Sequence, residues 1–504
     1  MIQSTPVLVF LATLLAAKLP ASDSPAPLSL PPLGPDLERL AHDYLRQPIA
    51  PQTTFDYERE VEKRLREYGR KVVAATYHAA AAQLDTADPR VRFAGEDYRR
   101  LNAQSRNTHV YTSFGTIALK RHMYRCCDKH SGLSCRSPAE MALGLMEGAT
   151  PAFAEAATRY FAEAGATQAS VLQRLKESHG VSMGVKKLRN LAAKRAEIVA
   201  ESQSDRLANR LLELLERADA SRGTHKPVLS VGRDGVTLRE YRHRFFEVAS
   251  VGTLAVYDRR GMRLGTVYLG CVPESKQVQL STRLDAILQE VLRRWEGRLP
   301  RLSYVTDAGD NETNYYRDVL RPMKHPRTGE ALQWVRVVDF YHAMERVWTI
   351  SRTLFGDDER AGVAWARRMG KLLKTPNGPF RVLHAAAARK ARCNLSKVQR
   401  TEYAKAYEYL RVRTQWMQYA NYQRVGVPLG SGVTEAACKT LVAQRLKLSG
   451  MRWKKPGSQA ILDLRSELLS GTWAESNRHV LAKLPQVKRV TPADTQVDTR
   501  TIVV

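Results

Sequence analysis

Acidic residues are in short supply in this sequence. Its 504 residues carry 51 Asp and Glu against 79 Lys and Arg, a formal net charge of +28. Such an imbalance favours a polyanionic partner, most simply nucleic acid, with a basic surface kept for solubility as the other reading. A membrane surface fits less well, because no basic amphipathic helix stands beside an apolar anchor. Cysteine is scarce too. The six residues, Cys126, Cys127, Cys135, Cys271, Cys393 and Cys438, are scattered, which excludes a disulfide framework and suits a reducing compartment. The apolar run at residues 7–17, VLVFLATLLAA, is too short to span a bilayer. No Lys or Arg precedes it, so the basic segment of an export signal is missing. The run reads either as an export signal, or as a loose helix or the product of a start codon set too far upstream. The expected location is the cytoplasm, on the nucleoid, with no membrane partner.

What is present divides into five stretches. The chain is too long for one compact core. Residues 1–55 hold the apolar start and a proline-rich linker. Residues 56–145 form a helical and small-strand region, and 146–222 a helical region. Residues 223–470 form an α/β domain with a helical insertion near 343–425, and 471–504 a polar tail. Within the second stretch, HMYRCCDKHSGLSC holds His122, Cys126, Cys127, His130 and Cys135. It lacks the second CxxC or HxxxH pair of a standard zinc site, so it reads as unpaired cysteines near a strand end, with a small zinc knuckle as the alternative.

The third stretch has the shape of a helix-turn-helix. An amphipathic helix at 168–179 carries Val171, Leu172 and Leu175 on one face, and Gly180 makes the turn. Ser182 is placed to cap a second helix bearing Lys186, Lys187, Arg189, Lys194 and Arg195. An ordinary helical hairpin is the other reading.

From residue 227 the pattern is three strands, helix, strand, helix, strand. The strand at 227–232 ends at Arg233-Asp234-Gly235. The strand at 302–306 ends at Asp307, and that at 334–338 is followed by Asp339-Phe340-Tyr341-His342. Strands one and four would be neighbours in a mixed sheet, which brings Asp234 and Asp307 to one edge, where open α/β sheets build their sites. Carboxylates forced together repel unless cations hold them. Asp258 lies in a hairpin turn and reads as turn chemistry. The stretch TDAGDNE also offers Asp310 and Glu312. Asp307 is the choice because it follows its strand directly, and Asp310 stays open. Asp339 reads as a helix N-cap and His342 as a hydrogen-bonded neighbour of the site. After the insertion comes GSGVTEAACK, in which Glu435 occupies the first turn of a helix. Taken alone, it complements the helix dipole.

The ordered set Asp234, Asp307, helical insertion, Glu435 resembles the DDE transposases of bacterial insertion sequences, and is most similar to their Mutator-related group. The Pro-Leu-Gly-Ser-Gly turn before Glu435, Asp339-x-x-His342, and the basic run Lys439, Arg445, Lys447 and Arg452 carry the likeness, which covers residues 227–469. The resemblance implies a ribonuclease H-like α/β fold preceded by a helix-turn-helix. It implies Asp234, Asp307 and Glu435 as the catalytic and metal-holding triad for two Mg²⁺ or Mn²⁺ ions. Asp310, Asp339 and His342 would be site neighbours. Lys186, Lys187, Lys439, Arg445, Lys447 and Arg452 would contact DNA. The partners would be the terminal inverted repeats of the element, target DNA and a second copy of the chain. The alternatives are an inactive DNA-binding relative and a plain nuclease.

Overall fold

A computed structural model describes residues 32–84, 90–93, 96–102, 106–128, 130, 135–239, 246–484 and 500–502. The apolar start and most of the proline-rich linker lie outside these residues. The chain divides into two compact units, one of residues 1–150, 179–181 and 485–504, the other of residues 151–178 and 182–484.

The second unit is built on a five-strand mixed sheet. Its strands are β1 (Val228–Arg239), β2 (Phe246–Tyr257), β3 (Arg263–Cys271), β4 (Arg301–Thr306) and β5 (Trp334–Val338), in the order β5-β4-β1-β2-β3. β1, β4 and β5 run parallel, while β2 is antiparallel to both β1 and β3. β1 is longer than its apolar start suggests. Val236 and Leu238 continue the β pattern, and pairing with β2 runs from Val228–Tyr257 to Arg239–Phe246. Asp234 therefore stands inside the strand rather than past its end.

Pleat alternation sorts the side chains onto two faces. Leu302 and Tyr304 of β4 join a core with Leu207, Leu211 and Leu214 from the helix Gln203–Asp219. Leu284, Ile287, Leu288, Val291 and Leu292 from the helix Val278–Arg294 complete that layer. Each such side chain contributes roughly 1.5–3 kcal/mol when fully buried. Val305, two positions before Asp307, enters the other core, with Val337, Val338 and the helices of the insertion. Those helices are Phe340–Phe355, Glu359–Leu373, Gly378–Lys390, Lys397–Arg411 and Tyr419–Arg424.

Both sheet edges are covered, as exposed edges invite mispairing. On β3, Ser470 accepts from the Tyr268 amide, Ser466 donates to the Tyr268 carbonyl, and Gln459 serves the Gly270 carbonyl and the Val272 amide. All three belong to the helix Lys455–Ser470, whose surface is buried over most of its length. On β5, the Tyr419 and Tyr422 hydroxyls donate to the Val338 and Arg336 carbonyls.

The expected boundary near residue 222 does not divide the fold. The Arg206 guanidinium is paired with Glu467 at 2.6 Å, both buried, so the helices before residue 222 share the core of the sheet. The helix after Gly180 spans Val185–Ala200 and starts at Gly184, not at Ser182. Arg195 is buried, with its guanidinium over Trp473 and bonded to Asn477. The expected polar tail from residue 471 begins with a helix, Trp473–Lys483, whose Trp473, Ser476 and Val480 are buried.

The first unit carries the long helix Pro51–Leu84 and a hairpin of Arg106–Thr112 with Gly115–Arg121. A small sheet of Arg90–Phe93, Glu96–Arg100 and Tyr124–Cys126 is extended in parallel by Arg500–Ile502. Cys126 is buried there, whereas Cys127 and Cys135 are exposed. Among the described residues, no helix is long and apolar enough to cross a membrane.

Candidate active site

The strand register aligns the acidic residues. Val231 of β1 faces Tyr304 of β4, and three residues further along each strand stand Asp234 and Asp307. Thr306 of β4 faces Val338 of β5, so the next positions are Asp307 and Asp339. Three carboxylates thus lie along one side of the sheet: Asp307 and Asp339 directly follow the parallel strands β4 and β5, and Asp234 lies within β1, three residues past its last pair with β4.

Their surroundings differ. Asp339 is wholly buried. Its Oδ1 accepts from the amides of Tyr341 at 2.5 Å and His342 at 3.0 Å, capping the helix Phe340–Phe355. Its Oδ2 accepts from the Ser431 amide and stands 2.6 Å from the Ser431 hydroxyl. Three backbone amides are bound to this one carboxylate, so Asp339 is a cap and a tether. The same Ser431 hydroxyl lies 2.9 Å from Glu435 Oε1 and donates to one carboxylate or the other. His342 Nε2 stands 3.6 Å from Glu435 Oε1. The helix Gly432–Ala437 therefore holds Glu435 through Ser431 and Asp339, although 92 residues separate those two in sequence.

That helix is also pinned to the sheet. Thr434 Oγ1 bonds Thr253 Oγ1 of β2 at 2.7 Å, both buried. The approach passes over Gly232 of β1, where a Cβ would collide with the Thr434 hydroxyl and lie 2.8 Å from Thr253 Oγ1. One turn beyond Glu435, the Cys438 thiol donates to Asp234 Oδ2 at 3.3 Å. Burial, then the charge of Asp234, raises the thiol above its ordinary range, so it stays a protonated donor.

Asp307 begins a tight turn. Its Oδ1 accepts from the Gly309 amide at 3.0 Å, and Ala308 adopts φ +59°. A left-handed non-glycine residue costs about 1–3 kcal/mol and persists where its surroundings over-determine it. Here the insertion does so. The Tyr409 hydroxyl donates to the Asp307 carbonyl at 2.5 Å, and Arg413 donates to the Ala308 carbonyl at 3.0 Å. Asp310 is exposed at the start of the next helix, Asp310–Tyr315. Glu312, set aside in the sequence reading, is buried instead.

Among the described residues, no Lys or Arg stands within ion-pair distance of Asp234, Asp307 or Glu435. Burial would lower the His342 imidazole, but its hydrogen bond with Glu345 and the charges of Asp339, Glu345 and Asp307 outweigh this and raise it. Burial, reinforced by the charges of Asp307 and Asp234, raises the Glu312 carboxyl. Among the described residues no three His, Cys, Asp or Glu side chains converge tightly enough to hold a metal ion. The donor chemistry nonetheless suits a hard divalent cation, because the carboxylates along this edge are oxygen donors with no Lys or Arg paired to them among the described residues.

The expected DNA contacts separate. Lys186, Lys439, Lys447 and Arg452 are exposed and Lys187 is half-buried. Arg445 is not a surface residue. It is wholly buried, its Nε donates to the Phe161 carbonyl, and its guanidinium lies between the Phe161 and Trp453 rings. Its place in a basic run hid this, since the run leaves helical spacing in a π-turn at Cys438–Ala443. Asp258 is a turn residue, as read, its Oδ1 accepting from the Arg260 and Met262 amides.

Compared with known proteins, the sequence matches no protein-family model and no curated protein.

Proposed function

We propose that the chain is a DDE-type DNA transposase, akin to the Mutator-related enzymes of insertion sequences, which cleaves DNA at the ends of its element and joins them to target DNA. The observation that carries this reading is the placement of Asp234 on β1 and of Asp307 just past the neighbouring parallel strand β4, with Glu435 held by Ser431 and, among the described residues, no Lys or Arg paired with any of the three. The mixed sheet, and a helical insertion between its last strand and the glutamate, support a ribonuclease H-like fold. Asp234, Asp307 and Glu435 would hold two Mg²⁺ or Mn²⁺ ions, which supply activation of the attacking oxygen and charge stabilisation at the leaving oxygen.

The chain's own residues prepare that chemistry. The Cys438 thiol orients Asp234, Ser431 and His342 orient Glu435, and Tyr409 with Arg413 fixes the turn that presents Asp307. Lys439, four residues past Glu435, and Lys447, which donates to Thr237 of β1 at 3.2 Å, would meet phosphates. The helices Gln168–His179 and Val185–Ala200 would serve as the helix-turn-helix, with Lys186 and Lys187 toward DNA. Two ends must be joined, so a homo-oligomer is the working form. The decisive test mixes the protein with the DNA flanking its gene, with and without Mg²⁺. Metal-dependent nicks at defined ends, lost in Asp234→Asn and Glu435→Gln, are expected. Binding without cutting would favour a non-catalytic DNA-binding relative.

A further inference from the structure

The buried Glu312 has no evident structural employment. Its residue is 8% exposed. Its carboxylate accepts no hydrogen bond from any other described residue, and the charge of Arg233 is felt nearby while that guanidinium is bound to Ser281 and Gln277. The two carboxyl groups face the same small space, because a Cβ built on Gly309 would lie 2.6 Å from Glu312 Oε2 and 3.5 Å from Asp307 Oδ1. A buried carboxyl aimed at a carboxylate either takes up a proton or is joined to it by a cation. A packing role would be met at less cost by an apolar residue or by glutamine.

We propose that Glu312 is a further oxygen ligand of the divalent-cation site, acting with Asp307. The inference rests on the metal-dependent reading above. The absence of a side chain at Gly309 is then part of the design, since it leaves the space between the two carboxylates open. Asp310 points to no such role, being exposed and on the first residue of its helix.

The test titrates Mn²⁺ into the full chain by calorimetry and follows melting with and without Mn²⁺. Glu312→Gln should melt higher than the parent in the absence of cation, because burial beside Asp307 disfavours the Glu312 carboxylate. It should also bind Mn²⁺ at least ~10-fold more weakly and gain less melting temperature from it. Asp310→Asn should change neither. Mn²⁺ binding that depends on Asp307 but is unaltered in Glu312→Gln overturns this proposal and leaves the triad standing. No Mn²⁺ binding by the parent overturns the triad, and Glu312 with it. If Glu312→Gln fails to fold, Glu312→Asp keeps the charge and withdraws it by one methylene, and unchanged Mn²⁺ affinity in that variant overturns the proposal.

Discussion

Individual side chains at this sheet edge divide into those already satisfied and those left free. Asp339 is the clearest of the first group. Asp339→Ala strips the partners from the Tyr341, His342 and Ser431 amides, and we expect a loss of about 2–4 kcal/mol in denaturant unfolding. Glu435 keeps open acceptor directions: it is exposed, held by Ser431 and near His342, with no Lys or Arg paired to it among the described residues. Glu435→Gln should abolish cleavage while DNA binding stays within about twofold; surviving cleavage would return Glu435 to a helix-start role. His342 carries a pH signature. Its folded imidazole is raised above the ordinary value, so its contribution is full below about pH 6.5 and fades as pH rises through the folded value. The stability gap between parent and His342→Gln should therefore be wider at pH 6 than at pH 8.5. A gap that is constant, or that widens with pH, would refute the assignment.

At the scale of elements, the site depends on two docking events. The helix Gly432–Ala437 reaches Asp234 only because β1 has no side chain at Gly232. Gly232→Ala should cost roughly 1–3 kcal/mol of stability and reduce cleavage further than that loss explains, because Glu435 moves with the helix. The insertion supplies the second event. Tyr409→Phe removes the hydrogen bond to the Asp307 carbonyl, at about 0.5–1.5 kcal/mol, and should slow cleavage with little change in DNA affinity. The strand pattern, the helix Val278–Arg294 and the insertion were legible in the sequence, because apolar periodicity reports local burial. The extension of β1 past Asp234 was not, since Gly235 looked like a strand end, and only cross-strand pairing with β2 carries the backbone onward.

For the whole molecule, the excess of Lys and Arg predicts salt-sensitive DNA binding. Removing one phosphate-binding charge should reduce the slope of log affinity against log salt by about 0.9. Lys439→Ala, Lys447→Ala and Arg452→Ala should each do so. Arg445→Ala should instead lower the melting temperature and leave the slope unchanged, because its guanidinium packs between rings inside the fold. Equal slope changes in all four would show that Arg445 reaches DNA.

Taken alone, the sequence determined the α/β periodicity, the basic character, and the order of Asp234, Asp307 and Glu435, because these are local or additive properties of the chain. It also named Asp339 as a cap, since capping acts within one turn. The tertiary structure decided which polar residues are free to act. Arg445 and Arg195 went inside, Asp310 stayed outside, and Glu312 was buried facing Asp307. Burial and hydrogen-bond supply depend on elements far apart in sequence, such as Ser431 on Asp339 and Tyr409 on Asp307, and no local pattern encodes those meetings.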